Sequence, residues 1–295
     1  MELRELKYFL AVAEYGNITK AAEELYITQP NLSRQIQNLE SELGQRLFVR
    51  GKRKATLTSA GVLLQKRAEE IVSLINKTKE ELTFFDKSVV GSVEIGGGES
   101  YVIKLIAQVV KGIQKDYPEV KFNSFSGDTN DVMAKLDEGL LDFGILIAPV
   151  DVSKYDYLRL PLVDTWGILA RKNSPLSTRS TVSPSDLIDK PLIFSKHAYG
   201  KNPVTGWFGK DYEKLNVVAT YNLIYNASLM VQEGMGYAVG LDKLINTSGD
   251  SELRFIPFAP ALTSELYIAW KKYTVFSNAA EFFLRKLKTY VQSLE

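Results

Sequence analysis

Apolar positions in the first sixty residues recur at helical spacing. Leu3, Leu6, Phe9, Leu10 and Ala13 share one face, and Gly16 stands where a helix stops. Asn17 suits the N-cap of a second, short helix carrying Ile18, Ala21, Ala22 and Leu25. A turn follows at Tyr26-Ile27. Thr28 is placed to cap a third helix, with Pro30 in its first turn, where a missing N–H costs little. Leu32, Ile36, Leu39 and Leu43 form its apolar stripe, and Gly44 ends it. In "RLFVRGKRKATLTSAG" two short apolar pieces, Leu47-Phe48-Val49 and Ala55-Thr56-Leu57, flank a basic tip, as in a small hairpin.

Ser59 is placed to cap a long helix reaching about Lys87. Leu64, Ala68, Ile71, Ile75, Thr78, Leu82 and Phe85 alternate steps of four and three, the spacing of a heptad seam. At 1.5 Å per residue such a rod spans roughly 40 Å. It needs a covering partner, most simply a second copy of itself; the alternative is a core helix lying on a domain.

From Gly91 onward strand and helix patterns alternate, as in an α/β sheet. "GSVEIGGG", "VKFNSFSG" and "LDFGILIA" read as strands around helices in "YVIKLIAQVVKGIQKDYP" and "DVMAKLDEG". "GILARK", "PLIFSK", "VVATYN" and "YAVGL" repeat the alternation with helices in "PSDLIDK" and "ASLMVQEGMG". "SELYIAW" and a helix from about Ser277 to Ser293 close the chain.

The polar residues of the third helix change the picture. Two short helices around a tight turn match helix-turn-helix geometry, which places the second helix in the major groove. Thr28, Gln29, Pro30 and Asn31 at its start, and Ser33, Arg34 and Gln37 beyond, then face DNA. Gln and Asn side chains pair adenine, Arg takes guanine, and Ser serves a base or a phosphate. The hairpin becomes a wing, with Arg50, Lys52, Arg53 and Lys54 against the backbone or minor groove. Between Gln45 and Ala68 seven bases (these four with Arg46, Lys66 and Arg67) meet no acid. That is an electrostatic footprint for nucleic acid on a chain whose net charge is only +1. The alternatives are a small helical bundle with a polar surface and a solvated basic loop.

Composition narrows the remaining chemistry. At 295 residues the chain holds about two domains. Cysteine is absent, which removes disulfides, thiol nucleophiles and thiolate metal sites. The single histidine, His197, would have to serve any Ser-His-Asp triad, and neither G-x-S-x-G nor G-x-x-x-x-G-K-[ST] is present. We expect no enzyme, cofactor or metal. No run of about 18 apolar residues and no signal-like N-terminus is seen, so a cytoplasmic protein without membrane contact is expected.

The N-terminal sixty residues resemble LysR-type transcriptional regulators. The resemblance is carried by F-x-x-V-A-E at Phe9–Glu14, A-A-x-x-L at Ala21–Leu25, Q-P-x-L-S-R-x-I at Gln29–Ile36, L-E-x-x-L-G at Leu39–Gly44, L-F-x-R at Leu47–Arg50 and L-T-x-A-G at Leu57–Gly61. "VQEGMGYAVGL" is similar to the family's glycine-rich segment. The resemblance implies a winged helix-turn-helix domain (1–58), a linker and dimerisation helix (59–87), and a periplasmic-binding-protein-like α/β effector domain (91–295). Two crossing strands would join lobe I (91–163 and 266–295) to lobe II (164–265). It further implies operator DNA as partner, a small-molecule effector between the lobes, and a homotetramer built as a dimer of dimers. Leu64, Ala68, Ile71, Ile75 and Leu82 would form the dimer seam.

In open α/β sheets ligands bind beyond the carboxyl ends of strands, often on helix N-termini. That rule selects Gly98, Glu99, Ser100 and Tyr101 after one strand, Gly127 and Thr129 after another, and Ala148 after a third. In lobe II it selects Ser195, His197, Asn222 and Asn226. Ser100, Thr129 and Asn226 are equally suited to capping helices. Glu99 suits a helix dipole but opposes a carboxylate ligand, and points to an effector bearing a hydroxyl or amine. Two other functions stay open: a constitutive architectural DNA-binding protein whose C-terminal half only oligomerises, and an enzyme fused to a DNA-binding domain.

Overall fold

The computed structural model describes residues 1–50, 55–83, 89–196 and 203–294. The chain divides into two units, Met1–Thr83 and Phe84–Glu295.

The first unit holds α1 (Leu3–Tyr15), α2 (Ile18–Glu24), α3 (Gln29–Leu43), β1 (Phe48–Arg50), β2 (Ala55–Leu57) and α4 (Ser59–Thr83). Leu6, Phe9, Val12, Ala21, Leu32, Ile36 and Leu39 meet in one core, where the Phe9 and Phe48 rings lie 5.3 Å apart. Gly16 and Gly44 both adopt the left-handed backbone that ends a helix at low cost. Asn17 Oδ1 accepts from the Thr19 and Lys20 amides, as its capping role requires. Two caps differ from expectation. Thr28 precedes α3, but its side chain makes no capping bond. At α4 it is Thr58 Oγ1, one residue ahead of Ser59, that accepts the Gly61 N–H at 3.0 Å.

The heptad seam of α4 divides. Ala68 is fully buried against the unit's own core, and Leu64 and Val72 pack beside it. Ala68 is therefore not a surface for a second chain, and Leu64 is largely taken. The heptad spacing identifies residues on a common side but not what covers them. Farther along, Ile71, Leu74 and Leu82 are exposed. The expected extension to Lys87, with Phe85, lies outside the described residues.

The second unit is built on a nine-stranded sheet. Its strands and main helices, in chain order, are β3 (Gly91–Gly97), α5 (Ile103–Asp116), β4 (Val120–Ser126), α6 (Thr129–Asp137), β5 (Phe143–Ile147) and β6 (Tyr155–Arg171). Then come α7 (Pro184–Leu187), β7 (Leu192–Ser195), α8 (Pro203–Phe208), β8 (Val217–Tyr221), α9 (Ile224–Gln232), β9 (Tyr237–Leu241), β10 (Leu253–Pro257), β11 (Thr263–Lys271) and α10 (Asn278–Gln292). The strands run in the order β4-β3-β5-β11-β6-β9-β7-β8, with β10 also on β6. β3, β4 and β5 are parallel, as are β7, β8 and β9; β11 runs antiparallel to both β5 and β6.

β6 is far longer than "GILARK". Its first part, Tyr155–Thr165, pairs with β11, and from Trp166 it pairs with β9 and β10. It thus passes from one packed layer to another. One core contains Val93, Phe143, Ile268, Phe283 and Leu287; a second contains Ile168, Leu192, Phe194, Val239 and Ile256. β10 and α8 are additional to the elements read from pattern, and "PSDLIDK" makes only the single turn α7.

Candidate DNA-reading helix and ligand cleft

On α3, Thr28, Gln29, Pro30, Asn31, Arg34 and Gln37 are exposed and Ser33 is half-buried. Gln29, Ser33 and Gln37 recur at intervals of four and so stack along one side of the helix. The Gln37 Nε2 amine lies 3.5 Å from Ser33 Oγ. These polar ends are outward because the opposite stripe, Leu32, Ile36 and Leu39, is fully committed to the core. Glu40 Oε1, on the same helix, accepts the Leu47 and Phe48 amides at 2.8 and 3.2 Å, and the Gly16 carbonyl accepts the Ala55 amide at 2.8 Å. The β1–β2 hairpin is thereby tied to the helices at both strands. Arg50 ends β1; Lys52, Arg53 and Lys54 lie outside the described residues.

In the second unit a cavity of about 480 Å³ opens where β3, β5 and the α6 start face β7, β8 and β9. Gly98, Glu99, Gly127, Thr129 and Ala148 line it from one side, and Ser195 and Asn222 from the other. Seven of the expected ligand positions therefore converge, although Ser195 and Gly98 are nearly one hundred residues apart in the chain. Ser100 is buried beside a neighbouring 210 Å³ cavity and not on this wall. Tyr101 instead accepts from Lys104 Nζ at 3.0 Å, with Lys243 Nζ 5.1 Å from its ring centre. Asn226 lies within α9, exposed and off the wall, because α9 starts at Ile224 and turns it outward. His197 is outside the described residues.

Charge in the cleft is arranged by the chain itself. Asp128, not Thr129, caps α6: its Oδ1 accepts the Asn130 and Asp131 amides at 2.7 and 2.9 Å. Glu99 Oε2 accepts the Ile224 amide at 2.6 Å, at the N-terminus of α9 across the cleft. Asp164, on β6 beside Ser100 and Tyr101, is 4% exposed, and its Oδ2 has no hydrogen-bond partner among the described residues. Burial pushes its carboxyl above the ordinary value; the Ser100 hydroxyl, the Tyr101 amide and the Lys243 charge act in the opposite sense. Tyr221 donates from Oη to the Val239 carbonyl at 2.7 Å, and burial, then the Glu99 charge, push its phenol up.

Sequence patterning missed Trp166, which lines the cleft and donates from Nε1 to Ser264 Oγ at 2.9 Å. No local signal marks it, since it lies where β6 exchanges one neighbour for another. Ile147 and Leu241, apolar strand residues on the same wall, are indistinguishable in sequence from core.

A family model described as "LysR substrate binding domain" matches residues 86–292. The chain belongs to the LysR family. A second model, "Bacterial regulatory helix-turn-helix protein, lysR family", matches residues 3–62 of this LysR-type transcriptional regulator. Among its relatives is the Hca operon transcriptional activator HcaR of Escherichia coli (strain K12), 31% identical over 284 residues, 92% of each chain. The uncharacterized HTH-type transcriptional regulator YnfL of the same strain is 28% identical over 292 residues, 96% of each. Full-length CbnR, solved in complex with its target DNA, aligns over 100% of both chains with a TM-score of 0.77 at 18% identity; this likeness bears on the fold alone. The LysR-type regulator thus pairs a DNA-binding unit with an effector-binding domain. Among its described residues no helix is long and apolar enough to cross a membrane.

Proposed function

We propose that this regulator reads operator DNA in the cytoplasm through α3, acting by binding alone without catalysis. The observation that carries the reading is the outward row Gln29, Ser33 and Gln37, with Arg34 beside it, on a helix whose other side is buried. Thr28, Pro30 and Asn31 lie at the groove-facing start, and Arg50, Lys52, Arg53 and Lys54 add phosphate contacts. The working division is 1–58 for DNA, 59–87 for the linker, and 91–295 for the effector. The exposed Ile71, Leu74 and Leu82 join two copies, and two such dimers assemble, in line with the family. A small molecule held between the lobes shifts the assembly between arrangements that differ in their DNA contacts; its effect is limited to its differential affinity for them.

The test is selection of bound sequences from a random duplex pool, with full-length wild type and with Arg34→Ala. A defined motif for wild type that degrades at one or two positions in the variant supports the reading. Two identical motifs would remove α3 from base recognition.

A further inference from the structure

The cleft faces three places where free backbone amides would attract an anion, and the chain's own acids stand at each. Asp128 holds the α6 start and Glu99 the α9 start. Asp164 lies against the Tyr101 amide just ahead of α5. A helix start that faces a cavity favours a ligand carboxylate or phosphate; here that role is already filled from within.

Glu99 is placed differently from the other two. Its Oε2 reaches across the cleft to the Ile224 amide, while its Oε1 has no hydrogen-bond partner among the described residues and faces the 480 Å³ cavity wall that includes Glu99 itself. Around the cavity, Glu99 and Asp128 outnumber the one described cation, Lys196, which is exposed. Trp166, Ile147 and Leu241 supply apolar surface beside them.

Resting on the reading that the effector binds between the lobes, we infer that Glu99 sets its chemical class: an organic amine carrying an apolar body, not a carboxylate. An ammonium donates to Glu99 Oε1 while Oε2 keeps the Ile224 amide, so one carboxylate holds the ligand and both sides of the cleft. A ligand carboxylate at the same place meets Glu99 and Asp128 with the Ile224 amide already engaged. Like charges at that separation oppose binding, and the helix start offers nothing in return.

Benzylamine and benzoate share a ring and differ in the charge beside it, and both fit the cavity. Titration calorimetry of the full-length protein with each compares the two classes directly. Wild type should bind benzylamine more tightly than benzoate. Glu99→Gln keeps an acceptor for Ile224 but removes the charge, and should weaken benzylamine about tenfold or more, the size of one charge-assisted hydrogen bond, with benzoate gaining relative to it. Trp166→Leu should weaken whichever probe binds in the cleft. Benzoate binding wild type at least as tightly as benzylamine overturns the class, even if Glu99→Gln does not fold. If that benzoate signal is abolished in Trp166→Leu, the cleft survives as the ligand site and only the class falls. Heat from neither probe also overturns the class, and leaves the cleft to be judged by footprints of the pocket variants. Benzylamine binding that Glu99→Gln leaves unchanged removes Glu99 from recognition.

Discussion

Glu40 Oε1 accepts the Leu47 amide at 2.8 Å, so the last turns of the DNA-facing helix hold the first strand of the wing. The same oxygen takes the Phe48 amide at 3.2 Å. The wing's position is therefore set from α3, and groove and wing contacts are coupled through one side chain. Glu40→Ala leaves two partly buried amides without an acceptor. The loss should be about 1–3 kcal/mol of unfolding free energy in the 1–83 unit, with weaker DNA binding. Glu40→Gln, which retains an oxygen, should recover most of it. Urea titrations of the three proteins that superimpose would show that the contact does not matter.

Base preference and bulk affinity should separate by position. Gln29→Ala, Ser33→Ala or Gln37→Ala should cost roughly 1–3 kcal/mol on the preferred sequence wherever the side chain pairs bidentately with a base, and little on random DNA. Arg50→Ala should weaken both equally and lower the salt slope by about one unit for its phosphate contact. Gel-shift titrations at several salt concentrations read both quantities. A salt slope unchanged in Arg50→Ala would place that side chain away from phosphate.

The two sides of α4 should respond differently. Ile71→Lys puts a charge on the exposed stripe that joins two chains, and light scattering should register a smaller particle with the monomer fold intact. Ala68→Leu instead overfills the unit's own core, costing about 1–3 kcal/mol in stability. If Ile71→Lys leaves the mass unchanged, the exposed stripe is not the contact between copies.

Asp164 should make stability depend on pH in a known direction. Its folded pKa is raised above the ordinary 3.8 by burial, so the fold favours the protonated form. That contribution is fully present below the unfolded pKa and is lost as pH rises through the folded value. At neutral pH the buried charge is a liability, most of all at the unpartnered Oδ2. Asp164→Asn should therefore equal or exceed wild type in melting temperature at pH 7, and lose that advantage toward pH 4. A variant less stable than wild type at pH 7, with no change on acidification, would show that the charged form is the favoured one.

Pocket residues should govern response without touching basal DNA binding. Thr129→Val and Asn222→Ala lie on the cleft wall, whereas Asn226→Ala lies off it. Footprints made with benzylamine present and absent should change in wild type and in Asn226→Ala, and change less in the two wall variants. A reduced response in Asn226→Ala equal to that of Thr129→Val would return Asn226 to the site.

The helix-turn-helix was legible because its determinants are local. A stripe such as Leu32, Ile36 and Leu39 names the buried side of α3, and the polar residues left over are by subtraction the exposed side. Gly16, Asn17 and Gly44 then punctuate the helices through backbone preferences that hold in any context. The alternation from Gly91 onward likewise announced a layered α/β domain, and the rule about strand ends found Gly98, Glu99, Gly127, Thr129, Ala148, Ser195 and Asn222. What tertiary structure decided was what lies opposite. Spacing puts Ala68 and Ile71 on one seam, yet only folding shows Ala68 covered by its own domain and Ile71 bare. β6 has no clean period because its two halves answer to different neighbours: Pro161 falls between Arg159, opposite Tyr267, and Val163, opposite Glu265, where the register shifts and an amide donor is not required. Glu99 carries no local sign of its partner either. The amide it holds is 125 residues away, and a hydrogen bond of that separation exists only once two sheets, each stabilised by its own core, have been brought to face each other.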